Sequence, residues 1–112
     1  PLREFLHVDD LGNACVFSLE HWSPSQNNLN YLNVGTGVDL TIRELAEAVA
    51  KATGYKGEIY WDSSKPDGTP KKQLDVTRLA ALGWHAEIQL KEGLASTVEK
   101  FRQDLSAHLV RL

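Results

Sequence analysis

The sequence predicts an α/β fold in one domain, or a piece of one. Short runs of aromatic and branched apolar residues, spaced along the chain, read as strands. Between them lie stretches whose apolar residues recur at three- and four-residue steps, the period of a helix. With 112 residues and 42% apolar content, the chain is long enough to bury roughly two-thirds of its unfolded surface.

The first strand is expected over Arg3–Val8, where Phe5, Leu6 and Val8 supply the apolar side chains. Asp9 or Asp10 then caps a helix, because a short carboxylate accepts from the free N–H groups of the first turn. Leu11, Ala14, Cys15, Ser18, Leu19 and Trp22 give that helix one buried face, with Cys15 as a small core residue. Ser23–Asn28 is a polar connection. Asn30–Gly35 reads as the next strand. Thr41-Ile-Arg-Glu44 is a capping box, in which the Thr hydroxyl and the Glu carboxylate each satisfy an orphan N–H. Ile42, Leu45, Ala46 and Val49 form the stripe of the helix it opens, and Gly54 suits a left-handed stop. Gly57–Trp61 is a short strand. A short helix over Val76–Leu82, opened by Asp75 and closed by Gly83, precedes Trp84, which packs on the body. Leu90, Leu94, Val98, Phe101 and Leu105 define a last amphipathic helix over 90–106, and residues 107–112 form a frayed tail.

Ser64–Asp75 stands apart. It holds two prolines and three lysines in twelve residues without apolar period, so it is a shaped loop. Pro66-Asp67-Gly68 is a tight turn that presents the Asp67 carboxylate, with Lys65, Lys71 and Lys72 around it. A carboxylate suits hydroxyls or an amine-bearing base edge, and lysines suit phosphates. From the residues alone, a solvated surface loop and a ligand loop both remain open. Arg3 is similarly placed: its guanidinium suits a diphosphate, while a surface arginine paired with Glu4 or Asp9 is the more ordinary reading.

Other chemistries are argued against. The net charge of −3 leaves no broad nucleic-acid surface, and no apolar run approaches the roughly 20 residues of a membrane span. The lone cysteine permits no internal disulfide and fits a reducing cytoplasm. The histidines at 7, 21, 85 and 108 lack metal-ligand spacing, so no metal site is expected. Gly35-x-Gly37 invites a dinucleotide reading, but Leu40 stands where a third Gly or Ala is required, so these glycines are read as a strand-to-helix turn.

Taken together, Arg3–Asp10, Asn33–Asp39, Thr41–Leu45, Ser64–Pro70, Leu74–Leu79 and Leu82-Gly-Trp84 resemble the C-terminal part of the GDP-L-fucose synthase family. These are NADPH-dependent epimerase/reductases of the extended short-chain dehydrogenase/reductase superfamily, with a Rossmann-type NAD(P)-binding fold. The resemblance covers residues 1–105, and the Lys-Pro-Asp-Gly-Thr-Pro loop is its most specific part. It implies that this chain is the substrate-binding portion and that the dinucleotide-binding part, with its catalytic Ser and Tyr-x-x-x-Lys, lies upstream. Tyr31, Tyr55 and Tyr60 are followed four residues on by Gly35, Ile59 and Ser64, so no catalytic residue is expected here. His7 and Cys15 fall outside the family's acid/base motif. By the resemblance, Arg3 meets the substrate diphosphate, Asp67 the nucleotide part of a GDP-sugar, and Lys72 the same region. It also implies a cytoplasmic homodimer formed through the upstream part. This region alone is expected to be catalytically silent and prone to self-association.

Overall fold

The computed structural model describes residues 1–24 and 30–111. Most of the polar connection expected over Ser23–Asn28 lies outside the described residues. The elements run β1 (Leu2–Glu4), α1 (Val8–His21), β2 (Asp39–Thr41), α2 (Ile42–Thr53), β3 (Lys71–Lys72), α3 (Thr77–Ala81) and α4 (Leu90–Ser106). The three strands form one sheet in the order β2-β1-β3. β1 pairs antiparallel with β2, placing Arg3 opposite Leu40, and parallel with β3, placing Arg3 opposite Lys72.

The helices follow local signals closely. The capping box of α2 is complete, with the Glu44 N–H donating to Thr41 Oγ1 and the Thr41 N–H donating to Glu44 Oε2. Gly54 ends α2 at φ 77°, a conformation open to glycine without penalty. Asp75 opens α3 from just outside it, its Oδ1 accepting from the Thr77 N–H and hydroxyl. These bonds hold the Asp75 carboxyl below its ordinary range, the backbone N–H being the larger cause. α4 packs along α2, and Arg102 donates to the Thr53 carbonyl at the C-terminal end of α2. A cation suits that end of a helix.

The start of α1 departs from expectation. Neither aspartate caps it. Its N-cap is His7, whose Nδ1 accepts from the Asp9 N–H at 3.1 Å. Nε2–H therefore donates towards Ser96 Oγ at 3.3 Å, joining α1 to α4. Asp10 is instead buried, and its Oδ2 accepts from the Ile88 and Glu87 N–H groups at 2.9 and 3.2 Å. The core is small: Ala14, Leu79 and Trp84 are buried, with Leu6, Phe17, Leu32, Val34, Leu82 and Ala86 around them. The Trp84 indole N–H donates to Asn13 Oδ1. The inner face of α1 is thus Asp10, Ala14 and Phe17. Val8, Leu11, Cys15, Val16 and Leu19 face outwards, Leu19 at 87% exposure, so Cys15 is not a core residue.

The strands were the poorer expectation. β1 stops at Glu4, because the chain must turn into the His7 cap. Asn30–Gly35 and Gly57–Trp61 form no strand, since neither finds a ladder partner among the described residues. Leu32 and Val34 still pack on the core. Conversely, the loop over Ser64–Asp75 contributes β3 through two lysines with little strand propensity, held by pairing to β1.

Candidate functional site

The residues singled out in the sequence converge on one edge of the sheet. Successive side chains of a strand point to opposite faces, and directly paired residues share a face. Arg3 and Lys72, being paired, project from the same face of β1 and β3. Leu40 lies on that face too, across the other ladder. Two cations are therefore set side by side on neighbouring strands, a spacing of about 5 Å between backbones. Like charges so placed repel, and an anion shared between them relieves the repulsion.

The Asp67 segment is fixed to the same place by Arg3 itself. The tight turn expected at Pro66-Asp67-Gly68 is absent, the chain turning instead at 62–65, where the Lys65 N–H donates to the Asp62 carbonyl. Arg3 Nη1 donates to the Leu2 carbonyl at 2.7 Å and to the Thr69 carbonyl at 2.8 Å. The other terminal nitrogen lies against Gly68, within 3.3 Å of where a Cβ would stand. Neither Glu4 nor Asp9 pairs with Arg3. The Leu2 N–H also donates to the Pro70 carbonyl, extending the attachment of the loop to β1. The loop's entry is shaped by Asp62, whose Oδ1 accepts from the Ser64 hydroxyl and N–H. The side-chain bond is the larger cause of its depressed pKa.

Asp67 and Lys72 are exposed and have no hydrogen bond or ion pair among the described residues, so both heads are available. Lys71 points to the opposite face and pairs with Asp39 at 3.4 Å. The arrangement is a guanidinium and an ammonium on one sheet face, with a carboxylate on the loop that the guanidinium holds at Thr69. It can hold a diphosphate at the cations and a hydrogen-bond donor edge at the carboxylate. Among the described residues no cluster could hold a metal ion, and no helix is long and apolar enough to cross a membrane.

No family model matches the chain. The GDP-L-fucose synthase of Escherichia coli strain K12 is 56% identical over 109 residues, which are 93% of this chain and 34% of that protein. The chain is homologous to the C-terminal third of GDP-L-fucose synthase. It therefore spans about a third of the length of the curated relatives it matches. A GDP-6-OMe-4-keto-L-xylo-heptose reductase from Campylobacter jejuni superposes with a TM-score of 0.84 at 29% identity, over 92% of this chain and 31% of that one. A GDP-D-glycero-L-gluco-heptose synthase from the same organism, solved in the presence of NADPH, gives 0.79 at 27% identity over 90% and 30% of the two chains. The fold is accordingly that of the C-terminal part of extended short-chain dehydrogenases/reductases.

Reasoning from the sequence missed two contributors. Glu4 and Gln73 both reach the backbone of Gly37: Glu4 Oε2 accepts its N–H at 2.8 Å, and Gln73 Nε2 donates to its carbonyl at 2.5 Å. Gly35 lies so close to Glu4 that an added Cβ would collide with Oε1. The Gly35-x-Gly37 turn is therefore filled by a carboxylate of its own chain. An anionic carboxylate is the wrong group for a dinucleotide phosphate to meet, so this turn does not fit one.

Proposed function

We propose that this region is the GDP-sugar-holding part of an NADPH-dependent GDP-L-fucose synthase. The whole enzyme converts GDP-4-keto-6-deoxy-D-mannose to GDP-L-fucose by epimerising the two carbons beside the keto group and then reducing that group. The observation that carries the reading is the pairing of Arg3 with Lys72 on one sheet face, with the Asp67-bearing loop bonded to Arg3 through the Thr69 carbonyl. In this reading the two cations hold the diphosphate and Asp67 accepts from the nucleotide or its sugar. NADPH, bound by the upstream part, supplies the hydride. Binding energy from the distant GDP group orients the keto-sugar against the reacting groups and is thereby turned into rate.

The division of labour is consistent with the absence of catalytic spacing in residues 1–112. The whole protein is proposed to be a cytoplasmic homodimer. The outward apolar stripe of α1 supports the reading that the excised region self-associates. The test is turnover by the full-length protein, following NADPH oxidation with GDP-4-keto-6-deoxy-D-mannose. The expected result is conversion to GDP-L-fucose. Turnover of another nucleotide sugar alone would assign the region to a sister enzyme.

A further inference from the structure

We infer that Glu4 and Gln73 are positioning residues for the substrate, which act by locking Lys72 beside Arg3 through the backbone of Gly37. The inference rests on the GDP-sugar reading above and concerns the face of the sheet turned away from the ligand. Glu4 follows Arg3 on β1 and so points to the back, and Gln73, just past the end of β3, reaches the same back-side turn. Both neighbours end on one residue. The Gly37 N–H is held by the Glu4 carboxylate at 2.8 Å and its carbonyl by the Gln73 amide at 2.5 Å.

The lock is needed because β3 is only two residues long and both are exposed. A ladder that short is marginal by itself. Before Lys72 the segment is tied to β1 at the Thr69 and Pro70 carbonyls and to β2 through Lys71, and Gln73 supplies the tie on its other side. Gly37 suits this role, since its φ of 75° is one that glycine adopts without strain, and a Cβ there would meet Val76 at 3.1 Å. Gly35 admits the Glu4 carboxylate for want of a side chain. The Asp39–Lys71 ion pair straps the same back face from β2 to β3. The Gly-x-Gly turn is thus the anvil of a clamp that sets the spacing of two cations.

The experiment is a calorimetric titration of the full-length protein with GDP, with NADPH as the control ligand. Gln73→Ala and Glu4→Ala are each expected to raise the Kd for GDP about five- to tenfold, as for loss of one hydrogen bond, while leaving NADPH binding unchanged. Glu4→Gln keeps an acceptor for the Gly37 N–H and should recover most of the loss. In a Lys72→Ala background, Gln73→Ala should add less than about twofold, because the group it positions is gone. Full multiplication of the two effects would overturn the inference, as would an unchanged Kd in Gln73→Ala when Lys72→Ala weakens binding. If Arg3→Ala and Lys72→Ala both leave GDP binding intact, the GDP-sugar reading itself fails and this inference with it. Gln73 is half-buried and belongs to no helix or strand, so its variant remains informative should Glu4→Ala fail to fold.

Discussion

Asp10 is the side chain on which the packing of α1 against the segment before α4 depends, and its removal has a calculable effect. Asp10→Ala takes the acceptor from the Ile88 N–H at 2.9 Å and the Glu87 N–H at 3.2 Å. A buried donor left unsatisfied costs about 1–3 kcal/mol, and bonds to a charged acceptor lie at the upper end. Glu87 is exposed and Ile88 half-buried, so water recovers part of the first loss and little of the second. The expected net cost is about 2–4 kcal/mol, and Asp10→Asn, which keeps one acceptor oxygen, should lose about 1 kcal/mol. Amide hydrogen exchange in the intact protein reads this locally. Protection at Ile88 should fall about 30- to 1,000-fold in Asp10→Ala. Asp9→Ala, whose side chain is exposed, should change it by less than about threefold. An Asp10→Ala protein with Ile88 protection unchanged, or an Asp9→Ala protein equally affected, would refute the reasoning.

Other outcomes follow from single contacts. Thr41→Ala removes the hydroxyl half of the capping box and should destabilise α2 by about 1 kcal/mol, seen as faster exchange across its first turn. Gly35→Ala must push the Glu4 carboxylate aside and should weaken GDP binding together with the Gly37 contact; unchanged affinity would show that the approach is not needed. Asp62 and Asp75 have folded pKa values below their unfolded ones. Their contribution is therefore fully present above the unfolded value and is lost as pH falls through the folded value. Acid titration should loosen the start of the 62–65 turn and of α3, and Asp75→Asn should remove the pH dependence of α3. Both groups are fully exposed, so the effect should be seen in local exchange rather than in global melting.

What could be read from the sequence was what is decided within a few residues. The Thr41–Glu44 box, the Gly54 stop, the Asp75 opening of α3 and the period of α4 are local signals, and the structure contains each of them. Strands depend on partners far along the chain, and there the reading failed. Asn30–Gly35 has the composition of a strand without a partner among the described residues, whereas Lys71–Lys72 has a partner without the composition. Asp10 looked like a cap because its true partners lie 77 and 78 residues away. One clue was that two adjacent aspartates cannot both be the cap. Cys15 and Leu19 fit a helical stripe, but the small core forms on the Ala14 and Phe17 side. Of the candidate site, residue types and the irregular loop were legible, but the chain turns at 62–65 rather than at Pro66-Asp67-Gly68. The pairing of Arg3 with Lys72, and the clamp behind them, required the sheet register.

The central claim, that the 64–75 loop and β1 together hold a GDP-sugar, is tested most directly by titrating GDP into the full-length protein and its Asp67→Ala variant. The account predicts that the wild type binds GDP and that the variant binds about tenfold or more weakly, with NADPH binding unchanged. Equal GDP affinity in the two proteins would contradict it.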